Sequence, residues 1–340
     1  MSSPRDPWQV REGDYPVNGS KADRLRFLLN YAVLAPNSHN TQPWLFRITD
    51  EGVELLADRT RALPVVDPHD RALTISCGAA LGLLGVAIRR FGHRPMVTHF
   101  PDPAEPELLA RVELGEAVTP TAGDLALFEA IQQRRSNRRP YEDRPLPEEL
   151  LQDCRKAVID EGAELQIVTD PREKQRLGEL VAEGDRRQFD DPRFRRELAA
   201  WVHSRRRASR DGMSAEGFGM PDLLSPVGAL VIRTFDMGNG VAAQDQQIAA
   251  GSPALAALLT SQDSPQEWLR TGEALARLLL ILTARGATAA YLNQPVEVEA
   301  LRAKLQEVLG AQGMPQLLLR MGYGPKIEPA VRRAVDEVLI

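Results

Sequence analysis

An α+β chain folded as two halves is the class this sequence predicts, and three observations carry it. The chain has 340 residues, enough for two units of ~100–200 residues each. Helical stretches with one apolar face recur between short runs that read as strands. Two apolar stretches, 70–90 and 265–285, also echo one another, as duplicated units would and as two buried helices of like composition also would. Gly78, Ala80, Leu81, Leu84, Ile88 and Gly92 align without gaps on Gly272, Ala274, Leu275, Leu278, Leu282 and Gly286. Each stretch ends in a glycine suited to the left-handed residue that closes a helix.

Taken in order, residues 1–19 read as an irregular arm. A helix starts at Ser20, with Asp23 three residues on as in a capping box. Leu25, Leu28, Leu29 and Ala32 give it one apolar face, and it stops before Pro36, because a residue preceding proline avoids the α region. Residues 44–49 and 53–57 read as a hairpin around Asp50, Glu51 and Gly52. The helix at 70–90 is apolar nearly all round and is expected to be buried on most sides. Gly78, Gly82 and Gly85 would admit a second backbone. Strands near 96–100 and 109–114 finish the first half, 20–117, and VTPTAG at 118–123 is the linker.

The second half, 124–340, opens with a helix over 125–135. Helices at 147–160 and 171–189 follow, with a strand at 164–169 between them. Residues 190–225, rich in Arg, Gly, Met and Ser without a clean period, read as a lid insertion, since long aperiodic segments are often lids. A strand (228–233), a loop, helices at 265–285 and 297–309 and a strand at 316–321 complete the reading.

Composition narrows the function classes. Hydrophobic residues are 43% and charged residues 26%, as expected of an ordinary globular core. A net charge of −5 argues against a general nucleic-acid binder. The N-terminal stretch has no apolar run, so no signal peptide is expected, and the apolar runs fall short of the ~18 residues of a membrane span. The two cysteines suit a reducing cytoplasm, and neither they nor the five histidines show metal-site spacing.

Two motifs carry chemistry. Residues 134–141 read RRSNRRPY. Arg134, Ser136 and Arg138 alternate, so an extended segment puts them on one side, with Arg135 and Arg139 on the other. Guanidinium groups are planar, always charged donors suited to phosphate. Taken alone, the string also reads as a solvated basic run at a helix end. Residues 35–44 read APNSHNTQPW, prolines flanking small polar residues, a composition suited to a rigid loop.

Together these motifs resemble the RRSxR and PSxxNxQPW elements of nitroreductase-like FMN proteins, in reversed order. Such proteins are homodimers whose flavins lie at the interface. With PNSHNTQPW, DPHDRALTISCGAAL, RRSNRRPYEDRPLP and GMPQLLLRMGYGP in this order, the chain is similar to the Acg-type branch, in which one chain mimics a dimer. The resemblance spans about residue 20 to 340. It implies two fused nitroreductase-like halves with antiparallel-rich sheets, packed through helices 70–90 and 265–285, and one non-covalent FMN between them. The partner site is expected to be empty. Asn37 departs from the family pattern, which has Ser there.

The resemblance assigns cofactor contacts to Pro36, Asn37, Ser38 and Asn40, to Arg134, Ser136 and Arg138, and to Asn293 and Gln294 within YLNQP near flavin N5 and O4. Arg332 and Arg333 would close over the phosphate, though they also read as surface charges. Arg138 falls nearer the N1/O2 edge, where a cation stabilises reduced flavin. Met213, Phe218 and Met220 are candidates to cover the exposed flavin face. No catalytic residue and no metal are assigned, because flavin N5 carries the chemistry. The expected function is hydride transfer from NAD(P)H to a nitroaromatic, quinone or similar small acceptor; the alternative is an FMN-storing protein with little turnover. A monomer is the expected state.

Overall fold

The computed structural model describes residues 6–203, 209–214 and 238–340. Helix α1 (Lys21–Ala32) begins at Ser20 with the expected reciprocal cap: Asp23 N donates to Ser20 Oγ at 3.1 Å and Ser20 N to Asp23 Oδ2 at 2.9 Å. Strands β1 (Trp44–Ile48) and β2 (Val53–Ala57) form the hairpin, with Phe46 opposite Leu55. Helix α2 (Arg71–Arg90) and strands β3 (His93–His99) and β4 (Leu108–Ala117) complete a four-stranded antiparallel sheet of order β1-β2-β4-β3.

The second half contains α3 (Ala122–Gln133), α4 (Glu148–Asp160), β5 (Glu164–Val168), α5 (Pro171–Asp190) and α6 (Pro192–Ala200). A short parallel pair follows, β6 (Val202–His203) with β7 (Met213–Ser214). Then come α7 (Gly238–Ala250), β8 (Ala254–Thr260), α8 (Pro265–Ala284), β9 (Thr288–Tyr291), α9 (Gln294–Glu297), α10 (Glu299–Leu309) and β10 (Met314–Gly322). Its antiparallel sheet has the order β5-β8-β10-β9.

Several elements differ from expectation, among them β9, which falls where no strand was expected. Helix α7 and strand β8 occupy a stretch read as loop, and the helix expected at 297–309 is split at Val298 into α9 and α10. Within the expected insertion, residues 192–200 are helical; residues 204–208 and 215–225, with Phe218 and Met220, lie outside the described residues, as does the strand expected at 228–233.

Helices α2 and α8 cross at the centre, and the crossing is reciprocal. A Cβ at Gly78 would sit 2.0 Å from Leu269 O, and one at Gly272 2.1 Å from Ile75 O. Each glycine thus abuts the carbonyl three residues before the other, the relation of a local two-fold axis. Gly82 meets Ala276 and Glu273 at 2.9 and 3.2 Å, whereas Gly85 has only Pro95, at 3.9 Å, and does not take part in the close approach. Gly92 and Gly286 end the two helices with φ of +83° and +74°. By length and hydropathy α2 would span a membrane, but it is buried in the core.

The second half also lends backbone to the first sheet. Phe46 N donates to Val338 O at 2.8 Å and Ile340 N to Phe46 O at 3.0 Å, so the C-terminal residues extend the first sheet beside β1. The segment after α3 runs along β9, with Ser136 bridged to Ala289 and Asn137 N donating to Ala289 O at 3.1 Å.

Candidate functional site

The two motifs meet. Pro36, Asn37, His39 and Asn40 of one and Arg134–Ser136 and Arg138–Tyr141 of the other line one cleft of about 1250 Å³, with Ser209, Asp211–Met213, α7 and the C-terminal segment 325–332 as its other walls. That space exceeds the 300–1,000 Å³ usual for small-molecule sites. Of the expected site residues, Pro36, Asn37, Asn40, Arg134, Ser136, Arg138 and Arg332 line it.

The loop wall is strained and heavily bonded. His39, Asn40 and Gln42 have φ of 49°, 56° and 53°, left-handed values that non-glycine residues adopt at a cost. Side chains supply the compensation. Asn37 Oδ1 accepts from Gln42 N at 2.9 Å, and Asn37 Nδ2 donates to Ala35 O at 3.0 Å. Asn40 Nδ2 donates to Gly212 O at 3.0 Å and Val331 O at 3.1 Å, while its Oδ1 accepts from Arg332 Nη1 at 2.8 Å. Asn40 is therefore a hub joining three walls. The segment 209–214 is stitched to the same loop by Gln42 Nε2 to Arg210 O at 2.7 Å and Gly212 N to Asn40 O at 3.1 Å.

The wall that adjoins this loop is cationic. Arg134 caps α3 and is buried, with Nη2 donating to Leu34 O at 3.2 Å. Arg332 is buried too, with Nη2 donating to Ala35 O at 3.1 Å. Arg135 and Arg139, expected to point away, line the cleft as well. Among the described residues, Arg134 Nε and Nη1, Arg135 Nε and Arg332 Nε are buried without a hydrogen-bond partner. None of the three arginines forms an ion pair with a carboxylate among the described residues; Glu328, on the cleft rim, acts on Arg135 only at longer range. Burial, and then mutual repulsion, push Arg332 down to about 9 and Arg135 down to about 10. Buried donors without acceptors are costly, and an anion with several oxygens would satisfy them. His39 also lines the cleft. Burial first, then the Arg138 charge, hold it down at about 4, so it is a neutral imidazole at pH 7.

Other expected residues sit elsewhere. Ser38 lies in the 3₁₀ turn Ser38–Asn40, its carbonyl accepting from Thr41 N at 2.9 Å. Asn293 Oδ1 accepts from Leu318 N at 3.0 Å, pinning the turn after β9 to β10. Gln294 Nε2 donates to Asp185 at 3.0 Å and Asp245 at 2.8 Å. Arg333 N donates to Gln42 Oε1 at 2.7 Å, and its guanidinium lies 3.7 Å from Asp58. None of these four lines the cleft. Met213 does, and Arg138 Nη2 lies 3.9 Å from its Sδ.

The sequence reading missed several residues. Asn137 is buried, with Nδ2 donating to Pro325 O at 2.7 Å. Buried Arg320 donates to Asn137 O and Arg139 O, each at 3.0 Å, and stacks on Tyr141 at 3.9 Å. The signal for Arg320 was available: a lone charge within the apolar strand QLLLRM needs a buried partner. Trp8 and Tyr291 also line the cleft.

No family model matches the chain. It is 32% identical over 324 residues to the putative NAD(P)H nitroreductase Rv3131 of Mycobacterium tuberculosis, covering 94% of this chain and 91% of that protein. It is 27% identical to the putative NAD(P)H nitroreductase acg of the same organism, over 93% and 95% of the two chains. Among solved structures it is similar to the FMN and NADPH-dependent nitroreductase NfnB from Sphigopyxis sp. strain HMH, with 20% identity, a TM-score of 0.43, and coverage of 63% of this chain and 97% of that one. With nine-tenths of its length matched at that identity to Rv3131, and with acg alongside, the chain belongs to the nitroreductase-like family, in its Acg-type branch.

Proposed function

We propose that the chain is an FMN oxidoreductase that holds one FMN between its halves and passes hydride from NAD(P)H to a nitroaromatic, quinone or similar small acceptor. The observation that carries this reading is the cradle of Arg134, Arg135 and Arg332, which line the same cleft as the 36–40 loop and each keep buried N–H groups without acceptors among the described residues. Those donors fit a phosphate, which takes several charge-assisted bonds at once. Bound FMN supplies the hydride chemistry.

The chain's own residues have separable tasks. Arg134, Arg135 and Arg332 bind and neutralise the phosphate. Ser136, beside Tyr291, falls along the ribityl path, and Arg138 offers a cation toward the ring's polar edge. Asn37, Asn40 and Gln42 hold their loop's left-handed backbone as a fixed wall. Met213 and Ile248 restrict water and acceptor access. The reciprocal α2–α8 crossing supports a single-chain mimic of a dimer, with halves at 20–117 and 124–340 and a monomer as the working unit.

Anaerobic mixing of the yellow protein with NADH or NADPH tests the reading. Bleaching of the flavin band, and its return on adding a quinone or nitroaromatic, is expected. The second reading, a store of FMN, is favoured by the bonds that dock 209–214 onto the 40–42 loop at the cleft. It predicts lasting colour under the same conditions.

A further inference from the structure

The N-terminal arm, expected to be merely irregular, delivers one aromatic side chain to the cationic wall. Trp8 sits in a short 3₁₀ turn, Pro7–Gln9, whose first N–H bonds are capped by Asp6: Trp8 N donates to Asp6 Oδ1 at 3.1 Å. Its indole Nε1 donates to Ala330 O at 2.9 Å, tying the arm to the C-terminal wall. Gln132 Nε2 donates to Val10 O at 2.9 Å, tying the arm to the end of α3. The ring therefore has a fixed place. Over it lies the Arg135 guanidinium, 4.4 Å from the ring centroid, with Arg332 at 5.8 Å.

Arg135 needs such a support. Its Nη1 is turned to the helix-end carbonyls Gln132 O and Arg134 O, at 2.9 and 2.8 Å, while its Nε is buried without a partner. A guanidinium stacked on an aromatic face keeps its in-plane N–H groups available to an anion.

We infer that Trp8 is a positioning residue of the anion cradle: its ring face holds Arg135 beside Arg134 and Arg332, so that three guanidinium groups converge on one phosphate. The inference rests on the FMN reading. The action inferred for Trp8 is on the phosphate end, through Arg135, whose guanidinium lies nearest its ring.

Comparing FMN with riboflavin, which lacks the phosphate, isolates that action. The variants are Trp8→Leu, which keeps apolar bulk and removes the ring face, and Trp8→Phe, which keeps a face and loses the bond to Ala330. Dissociation constants are measured by flavin fluorescence on the full chain. Trp8→Leu should weaken FMN about ten-fold (about 1.4 kcal/mol) and leave riboflavin within about two-fold, while Trp8→Phe recovers most of the FMN affinity. Equal losses for FMN and riboflavin in Trp8→Leu would reduce Trp8 to a structural role and overturn the inference, as would unchanged FMN affinity. Wild-type protein that does not prefer FMN over riboflavin would instead overturn the phosphate assignment beneath it.

Discussion

Replacing Gly272 by alanine tests whether the crossing of α2 and α8 is as tight as its geometry implies. The added Cβ would lie 2.1 Å from Ile75 O and 2.6 Å from both Ala79 N and Gly78 Cα. All three are backbone atoms of α2, so no side chain can swing aside. The helices must part by about 1 Å along a fully packed seam, and overpacking of that kind costs about 3 kcal/mol. With all 340 residues unfolding together, that lowers Tm by about 4 °C. Gly85→Ala on the same helix is the control. Its nearest neighbour is Pro95, at 3.9 Å, and alanine in a helix interior gains about 1 kcal/mol over glycine. Differential scanning calorimetry should therefore show opposite signs for the two changes. A Gly272→Ala protein that melts with or above the wild type would refute the direct backbone contact and the reciprocal seam inferred from it.

Further outcomes follow from the site and its surroundings. Arg134→Ala should weaken FMN binding about 10- to 100-fold by titration calorimetry, since a charge-assisted bond contributes roughly 1.5–3 kcal/mol, and leave riboflavin binding nearly unchanged. Asp185 shares Gln294 with Asp245, and burial, then the Asp245 charge, push it up to about 8 from an unfolded value of 3.8. A raised carboxylate keeps its proton in the folded state while the unfolded chain has lost it. Stability should therefore fall as pH rises from about 4 to about 8, by up to about 1.4 kcal/mol per pH unit, and level off above. Chemical denaturation of Asp185→Asn across that range should show a flatter profile; an unchanged slope would place the titrating group elsewhere.

Much of the framework was legible because its signals are local. Ser20 with Asp23 marks a helix start, Asp50 to Gly52 marks a hairpin, and the glycine-bearing apolar stretches mark the central crossing. Strand β8 was not legible, for a physical reason. All seven of its residues are buried, Ala254, Ala256 and Leu258 in one core and Leu255, Ala257 and Leu259 in another. A strand covered on both faces has no polar alternation, and alanine and leucine favour helix by propensity. Helix α7 has a thin apolar face, Ala242 and Ala249 with half-buried Val241 and Ile248, and so gives little periodic signal.

The site was legible in its types but less so in its directions. The arginines and the asparagine loop reach the same cleft across a hundred residues of sequence, as the motif resemblance implied. Which amide side chains shape the loop, however, depends on φ values that composition does not reveal. Asn40 proves to be a bonding hub, and Asn293 a pin for β10. Alternation placed Arg135 on the far side. The segment is bridged to β9 only at Ser136, and just past the helix end Arg135 turns under Trp8 into the cleft.

The central claim is that the two halves together form one flavin seat. Native mass spectrometry of the protein purified in the presence of FMN counts its occupants. The account predicts one FMN per 340-residue chain, lost in a variant lacking Arg134 and Arg332 together. Two flavins per chain, or one that persists without those arginines, would contradict it.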